Sequence, residues 1–289
     1  MPQSEIFADL HLHTIASDGE LTSEQLVDRA ADSGIGAMAV TDHDTVGGVE
    51  AAMAHGKSRG IEVVPGCELT IYEGNIELHL LALFIDIAPE SAFQKFLLQM
   101  QQHRRFRALS MISKMKLANV HIEESDVTDA AGSADSIGRP HVADALVKRG
   151  YARTPHEAML KYLQPGCIGY VPKHRLTPET AFAVVRAAGG LSILAHPGRN
   201  PHDEMISPLF HRGMDGIEAL YRSHSPVLRK FYTGLARRYE RAISGGSDFH
   251  GPSLTPDIQV GEAGVDRYVF AALKSEAARR KMGTLSSAQ

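Results

Sequence analysis

Short runs of β-branched and other apolar residues recur along the chain, separated by stretches whose apolar positions follow helical spacing. The runs end near Leu10, Thr41, Pro65, Phe84, Ala195, Leu220 and Ser247, which predicts seven strands. Thr22 followed by Gln25 forms a capping-box pattern that opens a first helix, and Gly34 and Gly60 close the first two helices. Strand, helix, strand repetition with short joints predicts a parallel sheet, and seven such units predict a closed or nearly closed barrel. The alternation breaks once. From Pro89 to about Pro165 no strand pattern occurs; a long helical pattern, SAFQKFLLQMQQHRRFRALSMISKMKLA, is followed by HVADALVKRG and HEAMLKYL. The expected architecture is therefore α/β: a barrel built from residues 1–98 and 166–289, with residues 99–165 as a helical insertion. No internal repeat or low-complexity segment interrupts this scheme, and the terminal SSAQ is expected to fray.

Composition narrows the class. The 289 residues are 43% apolar and 22% charged, the balance of a globular chain rather than a disordered or fibrous one. No run approaches the roughly 18 apolar residues of a spanning helix, and MPQSEIFADL lacks the regions of a secretory signal, so a cytoplasmic protein without membrane contact is expected. Cys67 and Cys167 allow at most one disulfide and no thiolate cluster; both are read as structural. Histidine is the residue in excess, with 15 copies against 6% aromatics and no Trp. Imidazole in that abundance points to metal or proton chemistry. Net charge is −4, but residues 1–98 carry −12, residues 99–175 carry +5 and residues 176–289 carry +3. Bound cations would offset the acidic N-terminal part, and the basic middle suits an anionic substrate. For Arg104, Arg105, Arg107, Lys114 and Lys116 a solvated helix surface is the simpler expectation.

The candidate chemistry begins at Asp9-Leu-His11-Leu-His13. Residues two apart on a strand point to one side, so His11 and His13 can reach a common ion. Asp18 lies in the following loop. Thr41-Asp42-His43-Asp44 ends the second strand, Gly66-Cys67-Glu68 follows the third, His196 follows the fifth and Ser247-Asp248-Phe249-His250 ends the seventh. Metal-type side chains thus gather after the C-terminal ends of strands, where barrels carry their active sites. His79 is the exception, placed early in the fourth strand, where a packed core histidine is an equally direct reading. Asp9 and Asp42 are expected to fix histidine tautomers rather than to ligate. Oxygen and imidazole donors without thiolate suit Mn²⁺, Fe²⁺, Zn²⁺ or Mg²⁺, and the imidazole content argues against a purely Mg²⁺ site.

The set DLHLHT, TDHD, GCE, a His in the fourth strand, AHP and SDFH resembles the PHP (polymerase and histidinol phosphatase) family, phosphoesterases within the wider amidohydrolase group. The resemblance spans residues 9 to 250 and implies a distorted seven-stranded βα barrel with two to three divalent ions at its mouth. It implies that His11, His13, Glu68 and Asp248 hold one ion and Glu68, His79 and His196 a second. Asp18, His43 and His250 would hold a third or bind phosphate. It also makes Glu68, Asp248, His43 and His250 the catalytic core. Many relatives carry His where Asp18 stands.

A second resemblance, carried by Ser136-Ile-Gly-Arg139-Pro-His141, Tyr170-Val-Pro-Lys173 and His196-Pro-Gly-Arg199, is to the branch of nucleoside 3′,5′-bisphosphate phosphatases and 5′-to-3′ exoribonucleases. It implies substrate contacts from Ser136, Arg139, His141, Lys173 and Arg199, in part through the insertion; Arg222 and His224 are further candidates after the sixth strand. The expected function is a Mn²⁺-favouring phosphatase that removes the 3′-phosphate of a nucleoside 3′,5′-bisphosphate through attack of a hydroxide held by two ions. The general acid would be His224, His250 or a metal-bound water. The alternatives are an exoribonuclease on short RNA, a histidinol-phosphate phosphatase and a metal-stabilised module without catalysis. Scarce aromatics count against the RNA reading, because single-strand binders stack bases on aromatic rings. Nothing in the sequence marks an obligate protein partner.

Overall fold

The computed structural model describes residues 5–132, 137–199 and 203–286. Seven strands form one sheet in chain order: β1 (Ala8–Asp9), β2 (Ala37–Val40), β3 (Glu62–Glu73), β4 (Ile76–Leu83), β5 (Leu191–Leu194), β6 (Gly216–Glu218) and β7 (Ala242–Ser244). The sheet edges meet. The Leu10 N–H donates to the Gly245 carbonyl at 3.1 Å, Asp248 N–H to His11 C=O at 2.9 Å and His13 N–H to Phe249 C=O at 3.1 Å. The distorted barrel expected from the sequence is present. Its strands β2 and β5 are buried along their whole length, as strands covered on both faces must be.

The all-parallel sheet is not. β3 pairs with β4 and β4 with β5 in antiparallel register, while β1, β2 and β3, and β5, β6 and β7, are parallel. β3 does not stop near Pro65 but continues to Glu73 and turns at once into β4. Gly74, at φ 60, makes this two-residue turn with Asn75, and Gly in the left-handed region is what such hairpins require. The hairpin reverses β4, so its first half lies at the barrel end reached by the last residues of its parallel neighbours.

Helix α1 (Ser23–Asp32) carries the expected capping box: the Gln25 N–H donates to Thr22 Oγ1 at 3.3 Å, and the Thr22 N–H donates to Gln25 Oε1 at 3.0 Å. Helix α2 (Val49–Arg59) ends at Gly60, φ 71. The central stretch contains α3 (Ala92–Leu117), α4 (Glu124–Ala131), α5 (Arg139–Lys148), α6 (Pro155–Ala158) and a π-helical turn at Met159–Leu163. No strand occurs there among the described residues. The barrel resumes with α7 (Pro178–Ala187), α8 (Ile206–His211), α9 (Pro226–Arg238) and α10 (Arg267–Ser286). None of these helices is long and apolar enough to cross a membrane.

Two compact units result, Met1–Lys95 with Leu176–Gln289, and Phe96–Arg175. The second runs ten residues beyond the expected return at residue 166. In the first unit, Leu10, Val64, Leu81, Leu83 and Ile193 fill the barrel, with Phe270, Leu273 and Ala277 of α10 packed on them. The second has its own core of Met111, Met115, Ile122, Val142, Leu146 and Leu163. Each such fully buried aliphatic side chain contributes roughly 1.5–3 kcal/mol.

Candidate metal centre

Hydrogen bonds between strand extensions bring the candidate ligands together. Past the end of β1, the parallel bridge Leu12–Phe249 lays His11 and His13 beside Asp248 and His250. Past β2, the bridge His43–Glu68 sets those two residues side by side. β4 contributes His79, whose carbonyl accepts the Ala195 N–H at 3.0 Å, one residue before His196. The antiparallel direction of β4 therefore explains a residue that seemed misplaced: the early part of this strand is at the mouth.

Glu68 is the hub, fully buried and faced by five imidazoles. Its Oε2 is 3.2 Å from His11 Nε2, 3.2 Å from His13 Nε2 and 3.4 Å from His43 Nδ1. Its Oε1 is 2.9 Å from His79 Nδ1 and 3.0 Å from His196 Nε2. Asp248 Oδ1 lies 3.4 Å from both His11 and His13 Nε2. Asp18 stands 3.6 Å from His13, 3.7 Å from His43 and 3.5 Å from His250. Three overlapping donor groups, each within 4.8 Å, follow: His11, His13, Glu68 and Asp248; His43, Glu68 and His79; His13, Asp18, His43 and His250. His43 thus stands where the expected second set had His196, which belongs to no group but touches the shared Glu68.

Burial pushes the Glu68 and Asp248 carboxyls up, but the surrounding imidazoles outweigh it and hold both well below the usual carboxylate range. Burial likewise opposes protonation of His13 and His79, yet the carboxylates carry each up to about 9. So many buried ionisable groups facing one another call for an external charge. Both ring nitrogens of His13 are buried without a hydrogen-bond partner. Unpaired imidazole nitrogens among carboxylate oxygens, with no thiolate donor, fit divalent cations. Cys67 is buried in β3, and burial pushes its thiol well up, so it stays protonated. His196 and Asp248 both have positive φ, 29° and 58°, a left-handed backbone that costs on the order of 1 kcal/mol and clusters at functional sites.

Several expected roles change. Asp9 touches no imidazole; it accepts backbone N–H groups from His11, Ser247 and Gly261 at 3.3, 3.0 and 2.9 Å and so pins the two sheet edges. Asp42 accepts from Thr14 and Ser17 and shapes the loop that carries Asp18. The carboxylate that fixes a histidine is Glu218, at the end of β6, with Oε1 3.0 Å from His11 Nδ1. Tyr221 was also missed: its hydroxyl donates to Asp248 Oδ2 at 3.1 Å, beside Arg199 Nη1 at 2.9 Å. Neither carries a motif, since isolated Glu and Tyr near a strand end have many other uses.

Among the expected substrate ligands, Arg199 is more than half exposed and sits on Asp248. The Arg222 guanidinium is committed to Glu262 at 2.5 Å and the Asp257 carbonyl at 2.9 Å, which ties down a loop instead of facing the mouth. His224 is buried, with Nδ1 bonded to the Ala219 carbonyl at 3.1 Å and Nε2 accepting the Gly198 N–H at 3.3 Å. Burial lowers its pKa. Both nitrogens of a neutral ring are therefore occupied, and His224 holds the Pro197–Arg199 turn; it is not placed as a general acid. Arg139 and His141 open α5 in the second unit, where the Gly138 N–H donates to His141 Nδ1 at 3.2 Å, and Lys173 follows in a loop of that unit. Ser136 lies outside the described residues.

A seven-stranded barrel with overlapping carboxylate and imidazole groups at its mouth is the construction of a metal-dependent phosphoesterase. The chain belongs to the PHP family, the PHP domain being matched over residues 9–183. It is 36% identical to the 5′-3′ exoribonuclease Rnm of Salmonella typhimurium, over 89% of this chain and 88% of that one. It is 33% identical to the 3′,5′-nucleoside bisphosphate phosphatase of Chromobacterium violaceum, over 84% and 87%. The crystal structure of a candidate metal-dependent phosphoesterase from Bifidobacterium adolescentis superposes with a TM-score of 0.73 at 28% identity, covering 95% and 97%.

Proposed function

We propose that this PHP-domain phosphoesterase removes the 3′-phosphate from nucleoside 3′,5′-bisphosphates such as adenosine 3′,5′-bisphosphate. The observation that carries the hydrolytic reading is Glu68, one buried carboxylate shared by two of the three donor groups. Divalent ions bound there, Mn²⁺ in the first instance, would supply positive charge against the phosphoryl oxygens and lower the pKa of water. Glu68 and Asp248 keep the mouth anionic enough to retain those cations. His250, whose Nδ1–H donates to the Asp248 carbonyl at 3.0 Å, turns Nε2 towards Asp18. Arg199 is exposed enough to exchange Asp248 for a phosphoryl oxygen, a charge-assisted contact.

The choice of substrate is supported by the charges of the second unit. Arg105 pairs with Glu124, Arg107 and Lys114 donate to the Val171 and Tyr170 carbonyls, Lys148 pairs with Asp129 and Arg149 with Asp126. Each of these cations already has a protein acceptor, which lowers the charge offered to an extended nucleic-acid backbone and favours a small bisphosphate. Arg139, Lys173 and His141 are our candidates for its second phosphate. The higher identity to an exoribonuclease favours a second reading, 5′-to-3′ cleavage of short RNA. Both reactions break the P–O bond to a ribose 3′-oxygen, so one centre suits either.

Phosphate and nucleotide release from adenosine 3′,5′-bisphosphate, 3′-AMP, 5′-AMP and a short 5′-phosphorylated RNA, with Mn²⁺-reconstituted protein, tests this. The bisphosphate should be cleaved fastest and the monophosphates poorly. Faster turnover of the RNA would replace the phosphatase reading with the exonuclease one.

A further inference from the structure

Six of the seven strands, or the residues just past them, place a side chain in the donor groups or on the shared Glu68; β6 places none there. It ends instead in Glu218, a fully buried carboxylate with both oxygens engaged. Oε1 is 3.0 Å from His11 Nδ1, and Oε2 accepts the backbone N–H of His196 at 2.7 Å. We propose that Glu218 is the positioning residue of the metal centre: it holds the proton of His11 on Nδ1, leaving the Nε2 lone pair for an ion shared with Glu68 and Asp248, and it clamps His196 in its left-handed backbone. The inference rests on the reading that divalent ions occupy the groups described above.

The geometry admits few other assignments. Carboxylates, which only accept hydrogen bonds, face both ring nitrogens of His11, Glu218 at Nδ1 and Glu68 at Nε2; with a cation among Glu68 and Asp248 taking the Nε2 lone pair, the proton of His11 has its place on Nδ1 against Glu218. Its Nε2 then lies 3.2 Å from Glu68 Oε2 and 3.4 Å from Asp248 Oδ1, inside the first donor group, with nothing to donate. Two acceptor atoms facing neighbouring acceptors are favourable only with a cation between them. The second oxygen of Glu218 fixes the residue after β5, where the backbone has φ 29. One side chain from β6 thereby sets the orientation of ligands from two other strands, as outer carboxylates do for metal-bound histidines. A Gln in its place has a single acceptor oxygen. Its amide nitrogen would have to face either the His11 Nδ1–H or the His196 N–H, donor against donor.

The test is a titration of metal-free protein with Mn²⁺, wild type against Glu218→Gln, read by isothermal calorimetry together with thermal denaturation of both forms. Loss of the orienting carboxylate should weaken Mn²⁺ binding by about ten- to a hundred-fold. Equal affinities, even with a lowered melting temperature, would overturn the positioning role and leave Glu218 a packing residue. Should Glu218→Gln not fold, the wild-type protein loaded with Zn²⁺ decides the matter through imidazole ¹⁵N spectra: a proton on His11 Nδ1 is expected, and a proton on Nε2 refutes it. A wild-type protein that takes up no ion overturns the metal-centre reading itself, which is a separate result from ion uptake with no difference between the two proteins.

Discussion

Strand β6 runs from just after one buried carboxylate, Asp215, to another, Glu218, and the surroundings of the two barrel ends it joins are opposite. At the base, Asp215 Oδ2 accepts from the Ser192 N–H at 2.9 Å, the Ser192 hydroxyl at 2.8 Å and Arg280 Nη1 at 2.7 Å, while Oδ1 takes Arg280 Nη2 at 2.5 Å. Both oxygens of Asp215 have donors, and Arg280, which also meets Glu276 Oε1 at 3.4 Å, straps α10 to the starts of β5 and β6. At the mouth, Glu68 and Asp248 face a crowd of imidazoles, two of whose nitrogens find no partner at all. A polar cluster built for stability closes on itself; one built to hold something is left incomplete. The difference also separates what substitutions at each end should do.

The largest effect is expected at the mouth. Glu68→Gln should lower turnover on the order of a thousand-fold, since a neutral amide cannot serve two cations as a carboxylate does. The metal-free protein should still fold, with a lower melting temperature because the buried imidazoles lose the carboxylate they face. Metal analysis of the reconstituted wild type should find at least two ions per chain. One ion or fewer, or turnover that survives the substitution, would remove Glu68 from the centre of the site.

The reverse pattern is expected at the base. Asp215→Ala removes the buried carboxylate that faces Arg280, a side chain only about a fifth exposed that keeps Glu276 and the Gly190 carbonyl, and should destabilise the fold by about 1 to 3 kcal/mol. Urea unfolding measures that loss, while kcat per folded molecule should stay near wild type. A catalytic defect as large as that of Glu68→Gln would mean that the two ends are not independent.

The pH response sharpens the comparison further. His13 and His79 stand at about 9, above an unfolded value near 6.5. Groups raised in this way stabilise the metal-free fold fully below pH 6.5, and the stabilisation is lost as pH rises through 9. Cations compete for the same nitrogens, so their binding strengthens over that interval. Between pH 6.5 and 8.5 the chelator-treated protein should lose a few degrees in melting temperature, and the increment from added Mn²⁺ should grow. An increment that shrinks with pH would show that protons and ions do not share these ligands.

How much of this was legible in the sequence depends on how local each signal is. The pair His11 and His13, the residues Glu68, Asp248 and His250, and the capping of α1 announce themselves by spacing over a few residues; in the structure the cap forms and these five side chains fall within the donor groups. The β3–β4 hairpin also had a local signal, Gly74-Asn75 between apolar runs, but the surrounding strand–helix alternation outweighed it in the reading. In a parallel fourth strand His79, early in the run, would lie at the end away from the mouth; the hairpin reverses the strand and puts it at the mouth. Arg222 and His224 could not be judged locally: whether an arginine faces a ligand or Glu262 depends on a residue forty positions away. Glu218 and Tyr221 are legible only in three dimensions, because their partners, His11 and Asp248, come from other strands.

Tyr221 gives the smallest and most discriminating prediction. Its hydroxyl and the Arg199 guanidinium donate to the same oxygen, Asp248 Oδ2, leaving Oδ1 towards His11 and His13. Burial and the Asp248 charge push the phenol pKa well up, so the hydroxyl remains a donor at any working pH. Tyr221→Phe keeps the ring against His196 and His224, at centroid distances of 5.7 and 5.2 Å, and removes the hydrogen bond alone. With the Arg199 guanidinium still on the same carboxylate oxygen, losing this hydrogen bond should cost about 0.5 to 1.5 kcal/mol, roughly two- to tenfold in Mn²⁺ affinity. Turnover at saturating Mn²⁺ should then return almost to the wild-type value. If turnover instead stays depressed by a hundred-fold with metal saturating, the Tyr221 hydroxyl acts on the substrate rather than on Asp248, and the mouth has a proton donor where we place a support.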